Sequence, residues 1–261
     1  MNRFDGYNFK VFTQMPGDNI QGDDTVFATI VNSQINTFAH LQNFDGGTSG
    51  NGATPGIFPI GWTFKADSAF GRIGYSWFVN NGPTSSFATG PNQDHTTGSG
   101  NYVYTEASNG NAGDSTFLYS PCLNLTSLTA PRMSYWYHMA GATMGELYVQ
   151  YESNGQWITF DSILGPQQAN ETDPWLERKV SIPARGNTKI RFKGIRGSSF
   201  DGDMAIDDVK FFDGSGPDLE LKAIIRPSSG CGLSANDTVE IRINNVGTVT
   251  QTKIGRASCR E

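Results

Sequence analysis

The sequence predicts an all-β protein, a sandwich of antiparallel sheets, on three observations. Of its 261 residues 31 are glycine, 12% are aromatic and only 17% are charged, a balance that suits short strands joined by tight turns. Apolar residues recur with a period of two in segment after segment, as half-buried strands require. Large rings at Trp62, Trp77, Phe87, Tyr102 and Tyr104 stand at spacings compatible with strands facing an inner layer.

Composition also excludes partners. The formal charge is −6 and no basic run or basic-aromatic stripe occurs, so a nucleic-acid groove or an anionic membrane surface has no electrostatic basis. No apolar run approaches the roughly 20 residues that span a bilayer, and no apolar signal block opens the chain. That absence assigns no compartment, because Met1 need not be the natural start.

The elements follow in order. Tyr7, Phe9 and Val11 alternate, Met15-Pro16-Gly17-Asp18 reads as a turn, and Val26, Ala28 and Ile30 alternate again. A lone hairpin is at best marginal in water, so residues 1–33 are expected to be the last strands of a domain that begins upstream. From 34 to 213 runs the main domain. Its most distinctive stretch is a polar loop punctuated by Gly90, Pro91, Gly98 and Gly100 and holding Asp94, His95, Thr96 and Thr97, after which Tyr102, Tyr104 and Glu106 alternate as a strand. Met133–Met139 has few polar residues on either parity and reads as a central strand. Strands are then expected at Glu146–Tyr151, Trp157–Ser162, Lys179–Ile182, Lys189–Gly194 and up to Phe211. Leu219–Ala223 and the segment of Val239, Ile241 and Ile243 open a further domain over 217–252. Residues 253–261 break the pattern abruptly. They resemble the translation of a sequencing-adapter oligonucleotide and are set apart from fold reasoning, which removes Cys259 and leaves Cys122 and Cys231 in different expected domains.

Three anchors in the main domain match one family. Thr-Gly-Pro-x-x-Asp-His-Thr at 89–96 followed by Gly-x-Tyr-x-Tyr-x-Glu-Ala-Ser, the strand Glu146–Tyr151, and Gly202-Asp203-Met204-Ala205-Ile206-Asp207-Asp208-Val209 closely resemble the MAM domain, an extracellular adhesion and interaction module. The resemblance implies a jelly roll of two antiparallel sheets. The flanking pieces resemble, over short stretches, the immunoglobulin-like repeats of bacterial surface proteins. The chain would then show a domain end, a whole domain and a domain start. Metazoan MAM domains carry several cysteines, whereas here Pro131-Arg132 stands where one is usual and only Cys122 remains. A sandwich this large can rest on its hydrophobic core instead.

Chemistry is sparse. No His-Glu-x-x-His, Gly-x-Ser-x-Gly or Cys-x-x-Cys occurs, so the commoner hydrolase and zinc sites lack their parts and no catalytic residue is assigned. His138, inside an aromatic strand, reads as a core or edge histidine. His95 reads as a loop anchor, since one His beside one Asp makes no triad without a nucleophile. Asp45, Asp94, Asp207 and Asp208 carry two readings. They converge on a structural Ca²⁺ or other hard cation, as the resemblance implies, or they cap turns and meet solvent. The expected function is a non-catalytic extracellular adhesion or interaction module of a multidomain surface or secreted protein, meeting a protein or glycan at a cell surface. The alternative is a carbohydrate-binding accessory domain of a secreted hydrolase, with Trp157 and Trp175 as exposed aromatics. A coplanar aromatic pair on an exposed sheet face would favour sugar.

Overall fold

Period-two alternation becomes strand along most of the chain. The computed structural model describes residues 3–12, 25–51, 53–65, 74–216, 219–226, 238–245, 247 and 249–250. The strands are β1 (Arg3–Phe12), β2 (Thr25–Ile35), β3 (His40–Gln42), β4 (Thr63–Lys65), β5 (Trp77–Asn80), β6 (Tyr102–Thr105), β7 (Ser115–Tyr119), β8 (Cys122–Asn124), β9 (Pro131–His138), β10 (Glu146–Ser153), β11 (Gln156–Leu164), β12 (Leu176–Ser181), β13 (Asn187–Thr188), β14 (Ile190–Ile195), β15 (Ala205–Asp213), β16 (Leu219–Arg226) and β17 (Glu240–Asn245). One 3₁₀ turn, Leu125–Ser127, is the only helical element among the described residues. The expected turn at Met15–Asp18, Cys231 and the segment 253–261 lie outside them.

Two antiparallel sheets form the sandwich. One runs β11-β10-β14-β7-β4; the other runs β12-β9-β15-β6-β5, with β3 paired to β15. A smaller sheet runs β1-β2-β8-β13, and β16 pairs with β17. Within the small sheet Gln34 and Ile35 lie parallel to Cys122 and Leu123, so β2 crosses the expected boundary at residue 33 and ends against β8.

The alternation decides which side chains go inward. In β7 Thr116 and Leu118 are buried, while Phe117 and Tyr119 face out; in β14 Ile190 and Phe192 are buried, while Arg191 and Lys193 face out. The inner layer includes Trp77, Val103, Leu118, Met133, Tyr135, Leu147, Val149, Phe192, Ile206 and Phe211, all at most 1% exposed. Each such side chain contributes about 1.5–3 kcal/mol by leaving water. The inner-layer expectation is corrected at three rings: Val103 takes the inner face of β6, so Tyr102 and Tyr104 pack on its other face in a second cluster with Phe78, Trp175 and Ala205, and Phe87 is in neither. Phe87 is 83% exposed, because it lies in the long connection between β5 and β6, where no strand parity operates.

A polar clamp crosses the core. Asp161 on β11 accepts a hydrogen bond from Tyr135 Oη on β9 at 2.8 Å, and Arg178 on β12 donates to it from Nη2 at 2.7 Å and from Nε at 3.1 and 3.2 Å. One carboxylate therefore ties the two sheets together. The β10–β11 hairpin is closed by Asn154 and Gly155 with φ of 50° and 75°, the left-handed pair that a tight hairpin turn requires.

Candidate functional site

The polar loop between β5 and β6 is structured mainly by carboxylates. Asp94 Oδ2 accepts from Thr97 N at 2.8 Å and Thr97 Oγ1 at 2.9 Å, and Oδ1 accepts from Gly100 N at 2.9 Å. Burial pushes this carboxyl up, but the Thr97 and Gly100 donors outweigh burial and hold it below the usual carboxylate range. Asp94 is thus an anion within its own loop.

Asp207 and Asp208 meet the loop from the last strand of the sandwich. The β9–β15 register shifts between Asp207 and Lys210, and Asp208 has φ of 47°, so a bulge turns two consecutive carboxylates inward. Asp207 Oδ2 accepts from His95 N at 3.0 Å and its Oδ1 from Asp208 N at 2.7 Å. Asp208 Oδ2 is 2.7 Å from His95 Nδ1 and also accepts from the Thr96 hydroxyl. Burial first, then the charge of Asp208, pushes Asp207 up to about 8.

Asp45 reaches the same loop from the connection that follows β3. Its Oδ1 accepts from Asn101 N at 2.8 Å and its Oδ2 from Asn43 Nδ2 at 2.6 Å. A Cβ on Gly100 would stand 2.9 Å from Asp94 Oδ2, 3.0 Å from Thr97 Oγ1, and closer still to Asp45 Oδ1. Glycine at 100 is what lets these three oxygens gather. So Asp45 joins Asp94, Asp207 joins Asp208 and His95, and the two groups adjoin through the 94–95 peptide. No three His, Cys, Asp or Glu side chains among the described residues form a metal-holding group by themselves. Asp45 and Asp94 nonetheless suit a hard cation in charge and donor type, with Thr97 Oγ1 as a neutral oxygen beside them.

A second acidic pair was missed in the sequence. Asp203 is fully buried; its Oδ1 accepts from Ala107 N at 2.8 Å while Oδ2 has no partner, and burial followed by the charge of Glu106 drives its carboxyl well above the usual range. Glu106 is 2% exposed and takes hydrogen bonds from Ser85, Ser86, Tyr104 and Ser108. The signal was present, since Glu106 continues the parity of Tyr102 and Tyr104.

His95 stacks on Trp136 with ring centroids 3.7 Å apart and planes 18° off parallel. Beside them opens a cleft of about 390 Å³ lined in part by Gln93, Asp94, Glu171, Asp173 and Trp175. Trp175 is a correction. Only 9% exposed, it donates its indole N–H to Gln93 O at 3.2 Å, because the 167–175 connection folds it under the loop instead of presenting it to solvent. His138 is fully buried, donates from Nε2 to Asp173 O at 3.2 Å, and is pushed down to about 4 by burial. Trp157 is different: it is half-buried on the outer face of the five-stranded sheet. There Phe117 and Tyr119 lie 6.2 Å apart and 28° from parallel.

A sandwich whose polar residues are spent on fixing a loop, and whose open face carries rings, is the structure of a binding module. The chain belongs to the family of the MAM domain, meprin/A5/mu, whose model matches residues 66–216. MAM domains are non-catalytic modules typical of extracellular adhesion and interaction, and the proteins that carry them are extracellular or cell-surface. The chain is 36% identical over 138 residues to thyroid hormone-induced protein B of Xenopus laevis, covering 53% of this chain and 20% of that protein. It is 34% identical over 164 residues to human MAM domain-containing protein 2, covering 62% and 23%. The chain therefore spans about a fifth of the length of these curated relatives. Among solved structures it is similar to the K1 cleaved adhesin domain of Lys-gingipain from Porphyromonas gingivalis W83, at 16% identity and a TM-score of 0.45, covering 68% of this chain and 99% of that one. No described helix is long and apolar enough to cross a membrane.

Proposed function

We propose that this chain is an attachment module of a multidomain surface or secreted protein, holding its parent to a protein or glycan at a cell surface without chemistry of its own. The observation that carries the reading is the division of labour in the sandwich. The acidic loop is consumed by internal hydrogen bonds, while the outer face of the five-stranded sheet presents half-buried rings. We read the sandwich as a jelly roll, and the strands before residue 34 and after residue 216 as pieces of neighbouring immunoglobulin-like domains in an array.

A second reading, the carbohydrate-binding accessory domain of a secreted hydrolase, draws on the Phe117 and Tyr119 rings that this face presents 28° from parallel. The two readings share the act of binding and differ in the parent protein. We further propose that Asp45 and Asp94, with Asp207 and Asp208 behind them, hold a structural cation of the calcium class, which would relieve carboxylate repulsion and fasten the first strand of the sandwich to the last.

The test is adhesion. Particles displaying the chain should be retained on at least one member of an array of purified polysaccharides and extracellular matrix proteins. Retention no greater than that of a soluble protein of matched charge, across the whole array, would end the attachment reading.

A further inference from the structure

The outer face of the five-stranded sheet has a chemistry that attachment alone does not specify. The strand registers place Lys65, Phe117, Lys193 and Tyr148 side by side across β4, β7, β14 and β10. In the next row Tyr119, Arg191 and Gln150 follow one another, with Thr159 beyond on β11. Ring and cation alternate along the first row. The Arg191 guanidinium lies 4.4 Å from the Phe117 ring centroid and 4.2 Å from that of Trp157, and its Nε donates to Gln150 Oε1 at 2.7 Å. The rings are therefore held in place before any ligand arrives.

Charge on this face leans positive in an acidic chain: Lys65, Arg191 and Lys193 stand against Glu146 and Glu152, which share the outward parity of Tyr148 and Gln150 on β10. The chain carries −6, yet among the described residues Lys65, Arg191 and Lys193 form no ion pair with a carboxylate. Glu146 is engaged by the Tyr148 hydroxyl at 2.5 Å, so three cations without an ion-pair partner outnumber the carboxylates and attract an anion, and their alternation with rings sets how its charges must be spaced. A densely sulfated chain meets rings where it needs cations. A dry protein interface is depleted in lysine at its centre, where this face has Lys193. A sugar with one carboxylate per ring has an apolar C–H face to lay on an aromatic and a charge to give each cation, while Gln150 and Thr159 supply hydrogen bonds.

We propose that this face binds an anionic glycan, a polysaccharide of hexuronate residues laid across the strands, with Trp157, Phe117, Tyr119 and Tyr148 as stacking platforms and Lys65, Lys193 and Arg191 as carboxylate partners. The proposal rests on the attachment reading and names its ligand class.

Affinity electrophoresis of the whole chain through gels containing polygalacturonate, neutral galactan, a sulfated galactan or polyglutamate tests it. Polygalacturonate should retard the chain most, and raised salt should weaken the retardation. Trp157→Ala and Lys193→Gln should each weaken binding about tenfold, in line with the loss of one stacking or one charge contact. Both variants must melt within a few degrees of wild type; if Trp157→Ala does not, Trp157→Phe replaces it and should bind with intermediate strength. No retardation by polygalacturonate, equal retardation by polyglutamate, preference for the sulfated polymer, or unchanged binding in both variants would each overturn the proposal. If a neutral glycan or a matrix protein on the adhesion array still retains the chain, attachment stands and only the ligand class is wrong.

Discussion

Asp207 is a carboxyl that this fold makes unfavourable to ionise. Raised to about 8 from an ordinary 3.8, it favours the folded state while protonated, so its contribution is complete below about pH 4 and is lost as pH rises through 8. Asp203 acts with the same sign. His138, pushed down to about 4, works oppositely, but only below about 6.5, and the raised Cys122 thiol and buried tyrosines act at higher pH, so between pH 7 and 8 the carboxyls set the trend. In chelator, the melting temperature should fall between pH 7 and 8, and Asp207→Asn should flatten the fall by up to about 1 kcal/mol per pH unit. A wild-type profile that is level over that range would show that Asp207 is ionised without penalty. Calcium should reverse the trend, because a cation favours the charged form. Stability should then rise as RT ln(1 + [L]/Kd), about 2.7 kcal/mol at a hundredfold excess over Kd, and Asp94→Asn should remove most of that gain. Equal melting temperatures in chelator and in millimolar calcium would leave the four carboxylates as turn caps and surface groups. At this scale the sequence was only partly readable. Asp94 stood out because glycines and a proline frame it, but Asp208 takes its direction from a bulge, which depends on how β15 pairs with β9 and leaves no local mark. Trp157 and Trp175 looked alike for a similar reason: one sits on a strand face and the other under a loop, and only the fold separates them.

The elements were easier to read, wherever alternation ran for five residues or more. Strands β10, β11 and β14 fall where alternation placed them, while β9 was read from its lack of polar residues and β15 from the family resemblance, both being covered on both faces for most of their length. Short strands such as β3, β8 and β13 have two or three residues, too few for a period, and were invisible. The Asp161 clamp was hidden too, since its three members are far apart in sequence and meet only when the sheets stack. It makes a sharp prediction. Asp161→Ala strands the buried Tyr135 hydroxyl and leaves Arg178 without its partner, and should cost about 2–3 kcal/mol, with the Arg178 share reduced by its exposure to water. Denaturant unfolding of that variant would measure it; a loss under about 0.5 kcal/mol would mean the sheets are held by apolar packing alone.

For the molecule as a whole, the family resemblance carried what alternation could not, that the strands form two antiparallel sheets; which strand enters which sheet was not legible and comes from the structure. The segment 34–213 holds both sheets of the sandwich and should melt as one cooperative unit when expressed alone. Broad, non-cooperative melting that sharpens only when β1 and the first part of β2 are restored would move the domain boundary upstream. Function is the level at which sequence says least, because the face proposed for attachment draws its members from five strands. The most direct measurement of the central claim is an equilibrium binding isotherm for whichever array ligand retains the chain, followed by recovery of that ligand. An attachment module should give saturable, reversible binding and return the ligand with its length and mass unchanged. Shortened or modified ligand, growing with time and with protein concentration, would contradict the account.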